Sequence, residues 1–523
     1  SERYRSVGNC LIEVPTKILL AGCKNSVLPS DESFTMIYES AFEGCTGLSS
    51  VTIPAFVEQI QESAFYGCSG LTSLKFEQNS RLKLLAIAAF AGCCSLQSVA
   101  IPDGISYIGF ASFGNCTSLS EITLPFIGSG TRFDSTPCFG HIFGASDAGD
   151  NAYYVPESLR TVTITLPGTG VLPSAAFLDC KKIQSVTLPV GITKIDERMF
   201  SGCKALRSVE IPEGVLEIGS GAFAGCESLV SAVIPKSVTT IRSYAFGDCT
   251  GLTGVYITDL AAWCAIEFET DGFNLNFNSN PLKFAHRLYL NGEEITELVI
   301  PAEVTAIGKG AFFGASGLSS VSFAQNNHLT EIVDFLFSEC TGLRSIILSE
   351  SITSIGDHAF SGCTGLGTLA FPETLTKIGK SAFEGCSELS SVAFSDRLDK
   401  LGTAAFLGCT SLLSLTLPKS LTVLPNSAFY GCTSLASVTF ADTLTDIGSG
   451  AFSGCVALTE LTIPESVLGI GASAFGGCNN LSSIILPIIG SGRADTTNTN
   501  YAKYCFGYIF GALNSRDENN RYV

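Results

Sequence analysis

Between Leu435 and Cys455 apolar and polar residues alternate in a fixed order. Val438 and Phe440 alternate with Ser437 and Thr439, the period of two expected of a strand with one buried face. Leu444 and Ile447 form a second short apolar pair, closed by Gly448, a residue suited to a tight turn. Ala451-Phe452 then predicts a brief helical or 3₁₀ turn that drives Phe452 inward and ends near Gly454. In most such units Pro follows the first strand, as at Pro189, Pro212 and Pro235. Lacking an N–H, Pro ends the ladder.

The unit recurs along the whole chain. Its Phe returns at Phe42, Phe65, Phe90 and Phe113, from Phe177 to Phe246, and from Phe312 to Phe475. Eleven of the fifteen intervals are 23 residues, two are 25 and two are long, at 64 and 66. Cys stands three positions after Phe in fifteen of the sixteen units; Phe312, followed by Ala315, is the exception. A fixed period of this length predicts a solenoid, in which stacked copies place their first strands side by side as a parallel sheet. Counting strand segments, including the degenerate Leu159–Leu166 and Ile295–Ile300, gives about eighteen coils. At ~4.8 Å per coil the stack is expected to be on the order of 85 Å long, gently curved because its strand face carries small residues.

The run from Leu206 to Cys226 reads Leu-x-x-Val-x-Ile-Pro-x-x-Val-x-x-Ile-Gly-x-x-Ala-Phe-x-Gly-Cys without a gap. This pattern resembles the BspA-like, Treponema-type leucine-rich repeat, and the resemblance covers nearly the whole chain. It implies a leucine-rich repeat solenoid, of the α/β repeat class but mostly β. It also implies a secreted or cell-surface protein, bacterial or from a mucosal protozoan, used in adhesion and without an enzymatic role.

Three places break the period and set the expected organisation. Residues 1–40 read as an N-terminal hairpin cap, from Cys10-Leu-Ile-Glu and Lys17-Ile-Leu-Leu-Ala. Repeats follow over 41–257 with an insertion at 125–158, and again over 295–486. Between them, 258–294 predicts a short helix capped by Asp259 and a hairpin turning at Asn291-Gly292, the pair a type I′ turn favours. Residues 487–523 read as a second, truncated copy of the 125–158 insertion: Cys138-Phe-Gly-His141-Ile-Phe143-Gly-Ala145 returns as Cys505-Phe-Gly-Tyr508-Ile-Phe510-Gly-Ala512. The copy breaks off at Val523, so further coils are expected beyond it, and the start at Ser1 without Met or signal peptide points to a processed or trimmed chain.

Composition narrows the function. The chain is apolar and only 15% charged, which argues against disorder. A net charge of −18 without a basic cluster disfavours nucleic acid and anionic bilayers. No apolar run approaches the ~18–20 residues of a membrane span, so no membrane insertion is expected. Of the 21 Cys, fifteen occupy the column beside the core Phe and are expected as buried free thiols rather than disulfides. Cys10 with Cys23 is the one pair placed for a bridge.

The four His (His141, His286, His328 and His358) show no metal-like spacing, and no nucleophile in the repeat has a base beside it. We therefore expect no enzyme, no cofactor and no metal site. The outward strand positions form a field of Ser and Thr, interrupted by Tyr256, Val299, Ile347 and Ile485. Aromatics crowd the breaks, among them Phe133, Tyr153, Tyr154, Trp263, Phe273 and Tyr504; most are expected to pack each insertion, a few to remain as contact anchors. The candidate partner-binding residues are Tyr256, Trp263, Asn291, Val299, His141, Phe143 and Tyr508, for Trp263 packing being the stronger expectation. The leading function is a monomeric adhesion or ligand-binding scaffold for a protein or glycoprotein of a host or neighbouring cell. A structural spacer projecting another domain and a carbohydrate-binding module are the alternatives.

Overall fold

The computed structural model describes residues 3–130, 138–165, 172–270, 277–488 and 506–511. The chain divides into two compact units, Ser1–Thr258 with Glu269–Ala285 and Asp259–Phe268 with His286–Val523. Of the residues singled out above, Phe133, Phe273, Tyr504, Cys505 and Ala512 lie outside the described residues, as does most of the expected 487–523 copy.

Both units are parallel-strand solenoids. In the first, wide-face strands run from Ser50–Ile53 to Gly254–Ile257, nine among the described residues. In the second, nine more run from Glu297–Ile300 to Ser483–Ile485. Where they pair they are in phase: Val99 faces Ile122, which faces Val162, then Val186 and Val209, so one apolar column continues from coil to coil. These residues are buried, while the alternating Ser208 and Glu210 are exposed. A second ladder of two-residue strands, such as Ser354–Ile355 beside Lys377–Ile378, buries its second residue and leaves the first more exposed.

The third side of each coil is the Phe turn. The Phe383 N–H donates to the Ala405 carbonyl of the next coil at 2.7 Å, and Phe406 repeats the bond to Ala428. The fully buried Phe383 ring stacks between Phe360 and Phe406 at 5.1 Å on either side, nearly parallel to both. In these regular coils a helix cannot run through the turn, because left-handed residues flank the Phe: Ser381 has φ 50° and Gly385 has φ 73°. Among the described residues 3₁₀ helices form in the broken modules, at Phe139–Phe143 and Phe506–Phe510.

The glycine after the second strand has a different cause from the one its turn-like setting suggests. Gly448 has no left-handed φ; a Cβ there would lie 2.5 Å from the backbone of Pro425 and Asn426. Adjacent coils touch backbone to backbone at this corner, and that contact favours glycine.

The N-terminal hairpin is present with one more strand than expected. Tyr4–Val7 pairs antiparallel with Cys10–Glu13, which pairs antiparallel with Ile18–Ala21. Ile18–Ala21 then pairs in parallel with Met36–Ile37, the first of the narrow ladder, so the hairpin covers the stack's open end. No disulfide joins Cys10 to Cys23; both are free, Cys10 buried and Cys23 exposed.

The described parts of the 125–158 segment, 125–130 and 138–158, take the place of a coil in the stack. Ile108 N–H donates to Ser129, Ala111 to His141 and Phe113 to Ile142, and Phe139 in turn donates to Ala176. Phe139 takes the place of the spine ring, 4.9 Å from Phe177. The second copy keeps this register, with Ser473 donating to Tyr508 and Phe475 to Ile509.

Candidate interaction surfaces

The outward strand positions form two kinds of surface. Thr368, Ala370, Ser391, Ala393, Ser414, Thr416, Ser437 and Thr439 are all exposed and carry short side chains. Many other hydroxyls on the coils are committed to the fold. Thr72, Ser120, Thr253, Ser319, Ser390 and Ser482, each just before a wide-face strand, donate to a carbonyl 23 residues earlier. Thr353, Thr376 and Thr445 do the same before the narrow strands. Sequence reasoning missed this stitching, although the regular return of Ser and Thr one position before each strand carried the signal.

Apolar groups interrupt the hydroxyl face in each unit. In the first, half-buried Tyr256 lies directly across from Val233, which is 44% exposed. In the second, Val299 is 51% exposed and pairs in register with Ser322, and Ile347 in the next coil is 72% exposed. Ile485 is also exposed.

The other expected anchors have varied settings. Trp263 is buried: its Nε1–H donates to the Ala311 carbonyl at 3.2 Å and its ring meets Phe268 edge-on at 5.3 Å. It sits on the short helix Leu260–Cys264, which Asp259 caps through the Ala262 N–H as expected. Trp263 therefore offers no surface to a partner. Asn291 is exposed at a hairpin between Leu288–Leu290 and Glu293–Glu294, with φ 53° at Asn291 and 89° at Gly292, both left-handed as a type I′ turn demands. Phe143 is buried, edge-on to Phe139 at 5.5 Å, and packs its own module. His141 and Tyr508 are half-buried and equivalent, each accepting the preceding coil's N–H through its backbone carbonyl, which explains why their side chains differ.

Among the aromatics that face solvent are Tyr153, 84% exposed, and Tyr154, 48% exposed, on the one-turn helix Asn151–Tyr154. With Asn115, Thr117, Phe143 and Glu157 they line a cleft of about 340 Å³.

Reactive side chains are used structurally. No disulfide joins cysteines among the described residues. Burial pushes Cys68, Cys116, Cys249 and Cys386 up to about 12. His358 stacks on Phe335 at 4.8 Å and burial lowers its pKa. Arg242 bridges Glu217 and Glu269, which holds its pKa up. Among the described residues no group of three or more His, Cys, Asp or Glu is placed to hold a metal ion. No helix among them is long and apolar enough to cross a membrane.

A sequence profile of the BspA type leucine-rich repeat region (6 copies) matches residues 21–135, 147–263, 283–413 and 399–508. Solved structures similar to the chain include a leucine-rich repeat protein from Bacteroides ovatus, 25% identical, covering 75% of this chain and 81% of its own, with a TM-score of 0.43. A leucine-rich repeat protein from Eubacterium ventriosum is 23% identical over 65% of this chain and 94% of its own, with a TM-score of 0.41. A leucine rich cell surface protein from Faecalibacterium prausnitzii is 18% identical over 97% of this chain and 98% of its own, with a TM-score of 0.26. No curated protein matches the chain.

Proposed function

We propose that this chain, which belongs to the BspA-type leucine-rich repeat family, is a non-catalytic extracellular or cell-surface scaffold that binds a protein or glycoprotein partner. The observation that carries this reading is the placement of apolar groups on an otherwise hydroxylated strand face. Val233 beside half-buried Tyr256 in one unit, and Val299, Ile347 and Ile485 in the other, leave apolar surface on the outer face, while inner-column residues such as Val209 and Val321 are buried. Binding energy concentrates in such groups, which a flat field of Ser and Thr lacks. The surface location rests on the family.

The coils from Thr368 to Thr439 support the spacer reading for their own wide strand face, where the outward strand positions are Ser, Thr and Ala. Both roles fit one molecule: a rigid array that spaces, with contact groups where the field is broken.

Two measurements test the proposal. Protease shaving or antibody labelling of intact producing cells should reach the chain. Purified chain should adhere to cells or immobilised extracellular glycoproteins, and Tyr256→Ala should reduce that binding. A chain found only inside the cell, or one that adheres to no such surface, overturns the proposal.

A further inference from the structure

The one-turn helix Asn151–Tyr154 is held with unusual firmness for so short an element. Asn151 is fully buried and uses its whole side chain: Oδ1 accepts from Gly140 N–H at 2.8 Å, and Nδ2 donates to the Ala176 and Leu178 carbonyls, each at 3.1 Å. Upstream, the Asp147 carboxylate accepts from the N–H groups of Gly149 and Asp150. Gly144, at φ 110°, leaves room for the Tyr154 ring, which a Cβ there would approach to 3.2 Å. The helix is thus clamped to its own module and to the following coil, and it projects Tyr153 outward.

We propose that the cleft beneath Tyr153 is a binding site for neutral saccharides; this deepens the binding reading above by naming a ligand class for one surface. An exposed, rigidly mounted aromatic ring offers an apolar face for the C–H side of a pyranose, at little entropic cost. Around it stand hydrogen-bonding groups of both kinds, all exposed: the Asn115 amide, the Thr117 hydroxyl and the Glu157 carboxylate, one oxygen of which pairs with Lys182 at 3.1 Å. Sugar hydroxyls need both donors and acceptors, and this set supplies them. The volume of about 340 Å³ falls at the small end of ligand sites, in the range of one or two sugar rings. No Lys or Arg lines the cleft, and a chain of net charge −18 repels anionic ligands, so sialylated or sulfated glycans are disfavoured. In sequence the second copy, one residue longer, aligns Asn519 with Asn151, Arg521 with Tyr153 and Tyr522 with Tyr154; these three lie outside the described residues.

The test uses the full chain on an array of neutral galacto-, manno- and N-acetylglucosamine oligosaccharides, with sialylated and sulfated glycans as controls. Calorimetry follows with the neutral oligosaccharide that gives the strongest signal. Binding is expected in the neutral series. Tyr153→Ala should weaken it by about tenfold or more with an unchanged unfolding midpoint, while Tyr153→Trp should preserve it. Absence of neutral-glycan binding, preference for anionic glycans, or full binding by Tyr153→Ala overturns the proposal. Cell adhesion separates it from the broader reading. A chain whose adhesion survives Tyr153→Ala and deglycosylation of the cells, yet falls with Tyr256→Ala, overturns the saccharide site alone. Glycan binding without any adhesion overturns the scaffold reading alone.

Discussion

The Cys386 thiol donates to the carbonyl oxygen of Phe360, 26 residues earlier and 3.2 Å away. The same carbonyl also accepts the N–H of Cys363 within its own coil, at 3.1 Å. Twelve other thiols repeat this bond, among them Cys340, which reaches Phe312 although that Phe is followed by Ala315 instead of Cys. The position asks for a side chain small enough to sit beside the stacked rings, apolar enough to be buried, and carrying a weak donor. Cys meets all three demands.

Burial keeps these thiols protonated. For Cys68, Cys116, Cys249 and Cys386 it raises the pKa to about 12. Because the unfolded thiol ionises near pH 9 and the folded one does not, the native state binds more protons between those values, and stability must fall as pH rises there. The protein should hold full stability below about pH 9 and unfold progressively toward pH 12. At neutral pH thiol reagents should label most cysteines only after denaturant is added, and without prior reduction. A requirement for reductant at most sites would contradict the free-thiol column.

Phe383→Ala empties a fully buried ring site and should cost about 3–5 kcal/mol. Its contacts are to neighbouring coils, so hydrogen exchange should accelerate first between Ser361 and Cys409. Uniform loosening from end to end would argue against nearest-neighbour energetics.

Two glycines form a matched pair. A Cβ on Gly402 would lie 2.3 Å from the backbone of Gly379, whereas a Cβ on Gly367 would meet nothing within 4 Å. Gly402→Ala should destabilise by about 1–3 kcal/mol, by forcing adjacent coils apart. Gly367→Ala should stay within about 0.5 kcal/mol of the parent. Denaturant titration of both variants checks the difference; equal effects would mean that coil contact does not favour glycine at Gly402.

Tyr256→Ala should leave the unfolding transition close to that of the parent while weakening partner binding. Its neighbour Val233 sits in register on the same face, so Val233→Ser should act in the same direction. A footprint confined to the coils between Ser361 and Cys478 would place recognition elsewhere.

The solenoid was legible because its interior is written the same way many times: Val99, Val162 and Val209 occupy one column, and Phe383 and Phe406 another. Where contacts link neighbouring copies through backbone, the single-coil reading failed. Gly448 looks like a turn residue until the preceding coil is set against it, and Thr376 looks like a surface hydroxyl until the carbonyl of Thr353 lies beside it. The 125–158 segment reads as an excursion because its spacing is long, yet Phe139 and Ile142 take a coil's place through main-chain bonds that composition does not encode. Surface anchors were harder still. Trp263 and Tyr153 both stand in broken segments, and only the fold distinguishes the plug from the projection.

The hydrogen bonds that run from Phe N–H to a carbonyl of the following coil, Ala in the regular coils from Phe337 to Phe452, give those turns the same two connectors, one received and one passed on. A gene encoding such turns can therefore gain or lose a whole coil by in-frame duplication or deletion, and the flanking turns find the partners they had before. Reach then becomes a heritable variable separate from stability. A lineage could lengthen or shorten the array by single steps, leaving untouched the few irregular modules that carry distinctive surfaces.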